Sequence, residues 1–399
     1  VAKTGNAEVK HLLLILVIAL ILRVAYVLTL EDKFFFPDSE RYDRIASDLV
    51  LGKGFSSTFT APLYPVLLSW LYTFFGHSFL TVRIVHSIIG TASVLIIYLL
   101  AKEMFSEKAG LIAALLGSIY PFFVFFTGLV LTETLFTFLF LCFVLFLKRM
   151  AANAGWRYAI YAGIFSGLSI LVKPVMAYFV PFALVVVMAV YRGKKLVLCS
   201  LAVLPITLFV IAPWALDNYR RTGKVIFLAT GGGLTLYESN NPHATGGPGV
   251  ERIVWTEEMK EMDAFELDRH FKKEALRFIK DNPHRFVELA VIKVRRFWSF
   301  TPNAGGYQSW KYKVISIVSY GPILILAMWQ IVVTRRRWKE LIFLYLPVIF
   351  FTLLHTVILG SLRYRLPIMP YVIMFAAGVR SQHVCHSRPF CHFRANGNP

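Results

Sequence analysis

Residues 34–47 read FFFPDSERYDRIAS, and Asp38, Glu40, Arg41, Asp43 and Arg44 crowd together in a chain that otherwise avoids charge. A carboxylate held ionised beside an apolar surface is what a general base requires. The plain alternative is a solvated loop leading into a helix. Tyr42, Ile45, Ala46, Leu49 and Val50 share one face at helical spacing, so a helix is expected to begin near Asp38, with Asp38 as its N-cap, as a base, or as both. Glu40 and Asp43 read as ordinary surface charge. Glu133 stands in GLVLTETLF at the start of a long apolar run. A carboxylate there is costly unless it meets a polar cavity.

Cations recur at the ends of other apolar runs: Arg83 in LTVRIVHSIIG, Lys173 in ILVKPVM, and the pair Arg363 and Arg365 in GSLRYRLPIMP. Snorkelling explains any one of them alone. As a set, beside carboxylates, they fit the binding of an anion such as a lipid phosphate. The tail holds CHSRPFCH, with Cys385, His386, Cys391 and His392. These residue types suit zinc, but the spacing matches no structural site, and the polar tail 381–399 is expected to be disordered. No metal ligand is assigned.

The elements that must position these residues are membrane spans. The chain has 399 residues, of which 57% are hydrophobic and 16% charged. Apolar runs at 11–30, 82–101, 109–126, 128–147, 158–172, 174–191, 195–214, 313–333, 341–358 and 366–380 give an all-α polytopic membrane protein of about ten helices. The first run reads as an uncleaved span. The net charge of +19 reads as contact with anionic lipid, not nucleic acid, since no basic soluble domain with interleaved aromatics is present. Cys142 and Cys199 read as packing residues within spans, and no disulfide framework is implied.

Sidedness follows from Lys and Arg in the short loops. With the N-terminus inside, Lys102, Lys108, Lys148, Arg149, Arg157, Arg192, Lys194, Lys195 and the run Arg335–Lys339 all fall inside. That pattern requires residues 61–76 to lie in the outer interface and not to cross. The division is then an N-terminal bundle over 1–214, with the outer loop 31–81 carrying the site. An outward segment at 215–312 and C-terminal helices over 313–380 follow. Within the outward segment, LATGGGLTLYESNNPHATGGPG is expected to be loop and TEEMKEMDAFELDRHFKKEALRFIKDNP one surface helix. HRFVELAVIKVRRFWSF reads as a basic amphipathic helix on the membrane.

The stretches FPDSERYDRIASDLVLGKGFSS, APLYPVLLSWLYTFFG, VRIVHSIIGTASVLIIYLLAKEMF, LVKP, PWALDNYRRTGK, GGGLTLYESNNPHATGG and RYRLPIMPY resemble bacterial lipid-dependent glycosyltransferases of the GT-C fold. These include protein O-mannosyltransferases and lipid A aminoarabinose transferases. The resemblance runs to about residue 372. It implies an inverting transfer of a sugar from a polyprenyl monophosphate to an acceptor hydroxyl on a lipid, glycan or protein. The reaction would take place on the outer, periplasmic face of the cytoplasmic membrane. It also implies Asp38 as the catalytic acidic residue with Glu133 as a second acid. Arg83 and Lys173 would lie at the donor phosphate, with Arg363 and Arg365 as weaker candidates. A monophosphate donor does not demand a divalent metal, and leaves one open. Two departures stand out: Asp217 in PWALDNYR, and ESNNP without a glycine before NNP. The rival classes are a transporter or lipid flippase, and a non-catalytic envelope assembly protein. A transporter would want ionisable groups near the midplane and repeated, broken helices; no internal repeat is visible, and the charges gather at one boundary.

Overall fold

The computed structural model describes residues 2–303 and 306–381. The Cys385–His392 cluster lies outside the described residues. Helices account for the architecture, and no strand occurs among the described residues. The first half comprises α1 (Ala2–Val27), α2 (Pro37–Val50), α3 (Leu63–Phe75), α4 (Phe79–Met104), α5 (Glu107–Ile119), α6 (Pro121–Thr127), α7 (Glu133–Asn153), α8 (Trp156–Val172), α9 (Met176–Tyr191) and α10 (Lys194–Thr222). The second half comprises α11 (Gly232–Ser239), α12 (Glu257–Glu261), α13 (Ala264–Asp281), α14 (Pro283–Phe297), α15 (Trp310–Val333), α16 (Ile342–Val357), α17 (Leu362–Arg365) and α18 (Met369–Ala377).

Among the described residues five helices, α1, α4, α7, α10 and α15, are long and apolar enough to cross a membrane, and six spans result if the bent pair α5–α6 counts as one. The expectation of about ten is not met at full length. The expected span 109–126 breaks by 53° where Pro121 follows Tyr120. Proline removes a main-chain donor and clashes with the preceding turn. Helices α8, α9 and α16 are apolar but short. Sixteen residues at 1.5 Å each reach about 24 Å, less than the ~30 Å hydrocarbon core. The expected span 366–380 is a chain of short turns, with Pro367 and Pro370 at its breaks. It is buried nearly throughout.

The centre of the bundle is aromatic. Phe136 and Phe140 stack on each other, and Phe140, Phe179 and Phe351 meet at 5.1–6.4 Å. Helices α8 and α10 approach more closely still. A Cβ at Gly163 or Gly167 would fall 2.6 Å from Ile206 or Val210, so this small-residue face is what lets the backbones meet. Ser166 and Thr207 hydrogen-bond across the same seam.

Helix α2 buries Ile45 and Ala46 against α3, as its spacing predicted. Its start differs from the expectation. Phe36 is the N-cap, Pro37 and Asp38 are already helical, and no side chain caps the turn. The Asp38 carboxylate is therefore free to face other partners. Asp43 is not simple surface charge either: it accepts from Tyr72 (2.6 Å) and pairs with His77 (2.8 Å), fastening α2 to α3. Trp70, Phe74 and Phe75 of α3 stay exposed.

The segment 215–312 holds more helix than its glycines suggest. Helix α11 forms inside the expected loop, its Gly233 N–H donating to Asp268 of α13 (2.7 Å). The expected single surface helix is two, divided at Met262. Asp263 caps α13 in a reciprocal box with Glu266. Helix α10 runs on to Thr222, past the expected boundary at 214. Lys293 of α14, fully buried, donates to Asn240 Oδ1 (2.8 Å) and to the Val357 carbonyl at the end of α16 (2.9 Å). Asn240 donates to the same carbonyl. Gly360 N–H donates to the Gly246 carbonyl (3.0 Å). The short link from α16 to α17 is thus clamped by Lys293, Asn240 and Gly246 just before Arg363.

Candidate active site

Four of the six residues singled out from sequence, Asp38, Glu133, Lys173 and Arg363, come together. Arg363 is the hub. Its Nη1 donates to Asp38 Oδ2 (2.6 Å) and its Nε to Glu133 Oε1 (2.7 Å). Lys173 Nζ donates to the same Glu133 oxygen (3.0 Å). Arg41, one turn along α2, donates to Asp38 Oδ1 (2.7 Å). Both oxygens of Asp38 therefore face guanidinium groups. Burial disfavours the charged form of Arg363, but Glu133 and Asp38 outweigh it and hold the guanidinium well above its ordinary pKa.

The members differ in access. Glu133 is fully buried, and its second oxygen has no partner among the described residues. Lys173 lies over the rings of Phe136 and Tyr364. Asp38, Arg41 and Arg363 instead line a cavity of about 1310 Å³. One side of that cavity is apolar, with Leu22, Tyr26, Phe122, Phe125, Tyr312 and Ile315 from α1, α6 and α15. The bend at Pro121 is what turns α6 to form this wall. Phe35 and Phe36, just ahead of Asp38, belong to it too, Phe36 stacking on Tyr307 with ring centres 6.1 Å apart. The lining also takes in Glu238, Thr245, Gly249, Arg252 and Arg296 from the segment after α10.

Arg83 and Arg365 lie elsewhere. Arg83 donates to the carbonyls of Gly128 (3.0 Å) and Glu31 (2.9 Å), with Asp32 at 3.5 Å. Arg365 donates to the carbonyls of Phe297 and Ser299 and lies 3.7 Å from the centre of the Tyr320 ring. Neither lines the cavity. Sequence reasoning passed over Arg41, Glu238, Arg252 and Arg296. Arg41 carried a signal, standing one helical turn from Asp38. The other three sit in a long polar segment where charge is common. Among the described residues no group of three or more His, Cys, Asp and Glu could hold a metal ion. Asp38 and Glu133 are joined by a guanidinium and not by an open coordination site.

Residues 60–216, under half of the chain, match the family model described as dolichyl-phosphate-mannose-protein mannosyltransferase. That range contains Arg83, Glu133 and Lys173 but neither Asp38 nor Arg363. No match is found among curated protein sequences. Among solved structures the chain is similar to the Archaeoglobus fulgidus oligosaccharyltransferase AglB in complex with an inhibitory peptide and a dolichol-phosphate. The TM-score is 0.58 at 16% identity, over 94% of this chain and 50% of that one. The apo form of the same enzyme gives 0.56 at 16% identity, over 93% and 50%. ArnT from Cupriavidus metallidurans bound to undecaprenyl phosphate gives 0.47 at 12% identity, over 95% and 77%. The chain spans about half the length of the oligosaccharyltransferase structures it matches. The fold is the GT-C fold of multi-pass membrane glycosyltransferases, as the sequence resemblance implied.

Proposed function

We propose that this protein is an inverting glycosyltransferase that moves a sugar from a polyprenyl monophosphate to an acceptor hydroxyl at the outer face of the cytoplasmic membrane. One observation carries the reading: Asp38 stands in the wall of a large, half-apolar cavity with both carboxylate oxygens fixed by guanidinium groups. The family match over 60–216 and the dolichol-phosphate named for the AglB complex support a lipid-linked donor.

In the proposed reaction the acceptor oxygen attacks the anomeric carbon and its proton passes to Asp38. The bond from that carbon to the phosphate oxygen breaks, and its electron pair leaves with the phosphate. A phosphate needs no protonation to depart, so nearby cations suffice. Arg363 and Arg41 hold the Asp38 carboxylate in place through one hydrogen bond to each of its oxygens. Glu133, out of reach of the cavity, positions Arg363, and Lys173 balances Glu133. The apolar wall receives the prenyl tail, and holding donor and acceptor together supplies much of the acceleration. Arg83 and Arg365 were expected at the donor phosphate. Their main-chain bonds favour a framework role instead.

The test is turnover of a polyprenyl-phosphate sugar by purified Asp38→Asn protein. Full retained activity would remove Asp38 as the base. Mass spectrometry of envelope glycans in a deletion strain identifies sugar and acceptor: the carrier that accumulates names the donor, and the missing glycan names the acceptor.

A further inference from the structure

The cations of the cavity are not equivalent. Arg41 and Arg363 are engaged by Asp38, and Arg363 by Glu133 as well. Lys173 is engaged by Glu133 behind the cavity wall. Arg296, which lines the same cavity, donates through Nε to the Gly360 carbonyl (3.2 Å), and no carboxylate of the described residues lies within ion-pair distance of it. Arg252 donates to Thr245 Oγ1 (2.8 Å) and to the Pro248 carbonyl (3.5 Å). Its other nitrogen is 3.4 Å from Glu251, a solvent-exposed contact of little strength.

We propose that Arg252 and Arg296 form a phosphate-binding site in this cavity, separate from the cluster around Arg363, for the phosphate of a membrane lipid. The proposal rests on the transferase reading for its choice of lipid and adds a second anion position to the same cavity.

The loop beneath the two arginines is built to receive them. It reads ATGGPGVER over 244–252. A Cβ at Gly247 would collide with the guanidinium of Arg296, and one at Gly249 with that of Arg252. With hydrogen in both places the two planar forks lie against the loop backbone. Gly249 N–H donates to the nearly buried Glu238 (2.6 Å), which anchors the loop from below. Burial pushes the Glu238 carboxyl up, with that N–H opposing. Burial also lowers Arg296, and the charge of Arg252 lowers it further. Two like charges held together on a shared cavity wall are relieved by an anion bridging them. A phosphate offers oxygens for two guanidinium forks at once, where a carboxylate satisfies one. The apolar residues of the cavity supply room for the lipid chain that carries it.

The test uses the full chain in detergent and measures binding, not turnover. The probes are undecaprenyl phosphate, undecaprenol, dioleoyl phosphatidic acid and inorganic phosphate. Arg252→Gln and Arg296→Gln should each weaken phosphate-bearing probes by about tenfold to a hundredfold. Undecaprenol binding should not move. Gly247→Ala should weaken the same probes by displacing Arg296 with its charge intact, which keeps the test alive if an arginine variant misfolds. Loss for undecaprenyl phosphate assigns the site to the donor lipid. Loss for phosphatidic acid alone assigns it to a phosphate on the acceptor side, and loss for inorganic phosphate alone overturns the lipid assignment. Unchanged affinity for all three phosphates in a folded Arg252→Gln, Arg296→Gln double variant overturns the proposal. The base assignment is read from turnover of the Asp38→Asn protein and this site from lipid binding by the arginine variants, so either can fail while the other stands.

Discussion

Arg363 and Arg365 are two residues apart, both scarcely exposed, and they face different chemistry. Arg363 donates to two carboxylates from distant parts of the chain, beside a cavity. Arg365 donates to two main-chain carbonyls and stacks on Tyr320, away from it. Arg83 and Arg23 repeat the second pattern. Arg23 donates to the carbonyls of Ala19, Gly117 and Ser118 from within α1. A buried cation on carbonyls fills an ordinary need of irregular backbone, whose acceptors must be satisfied somewhere. A buried cation on carboxylates keeps charge in a costly place, and that cost calls for a use.

The contrast can be broken most directly at Asp38. Asp38→Asn should lower turnover by about 10²–10⁴-fold, the usual span for a positioned base, while unfolding temperature stays near that of the parent. A comparable loss of stability would instead make Asp38 a structural partner of Arg363. Glu133→Gln should destabilise the fold by about 3–5 kcal/mol, since it leaves Lys173 and Arg363 without their buried carboxylate. Adding Lys173→Met should recover part of that loss, and chemical or thermal unfolding in detergent reads both. Arg83→Met and Arg365→Met should each cost about 1–3 kcal/mol through orphaned carbonyls, with donor affinity unchanged. Weakened undecaprenyl phosphate binding in either would return that arginine to the donor and erase the distinction drawn here.

The smallest effect concerns the clamp. Burial lowers Lys293 to about 8, so folding favours the neutral amine relative to the unfolded chain. Between about 8 and the ordinary lysine range near 10.4, the unfolded chain binds a proton that the folded chain does not. Stability should therefore rise with pH through that window and be flat below it. Unfolding temperatures at pH 7.5 to 9.5 should climb more steeply for the parent than for Lys293→Met. Parallel slopes would show that the buried ammonium is not disfavoured.

Sequence reading found what local pattern encodes. Asp38 was visible because charge clustered beside aromatic residues, and the face from Tyr42 to Ala46 located its helix. Glu133 and Lys173 stood out because each interrupts an apolar run. The partnership with Arg363 was not legible, because 325 positions separate it from Asp38 and no periodicity reaches that far. The same limit hid Arg252 and Arg296, which gain meaning only from the glycine loop and cavity they share. The break at Pro121 was legible in principle but lost to the hydropathy around it. The start of α2 was misjudged by two residues because Pro37 suits the first helical turn as well as the approach to it.

The bridge from Arg363 to Glu133 spans 230 residues, and this orders the protein's own manufacture. Ribosomes add roughly 5–20 residues per second, so Arg363 emerges about 10–50 s after Glu133. Lys173, only 40 residues away, reaches Glu133 long before. During that interval Glu133 has Lys173 as its one cation within reach, and Asp38 has Arg41 alone. On the proposed transferase reading, the site is complete only once the last helices are in place.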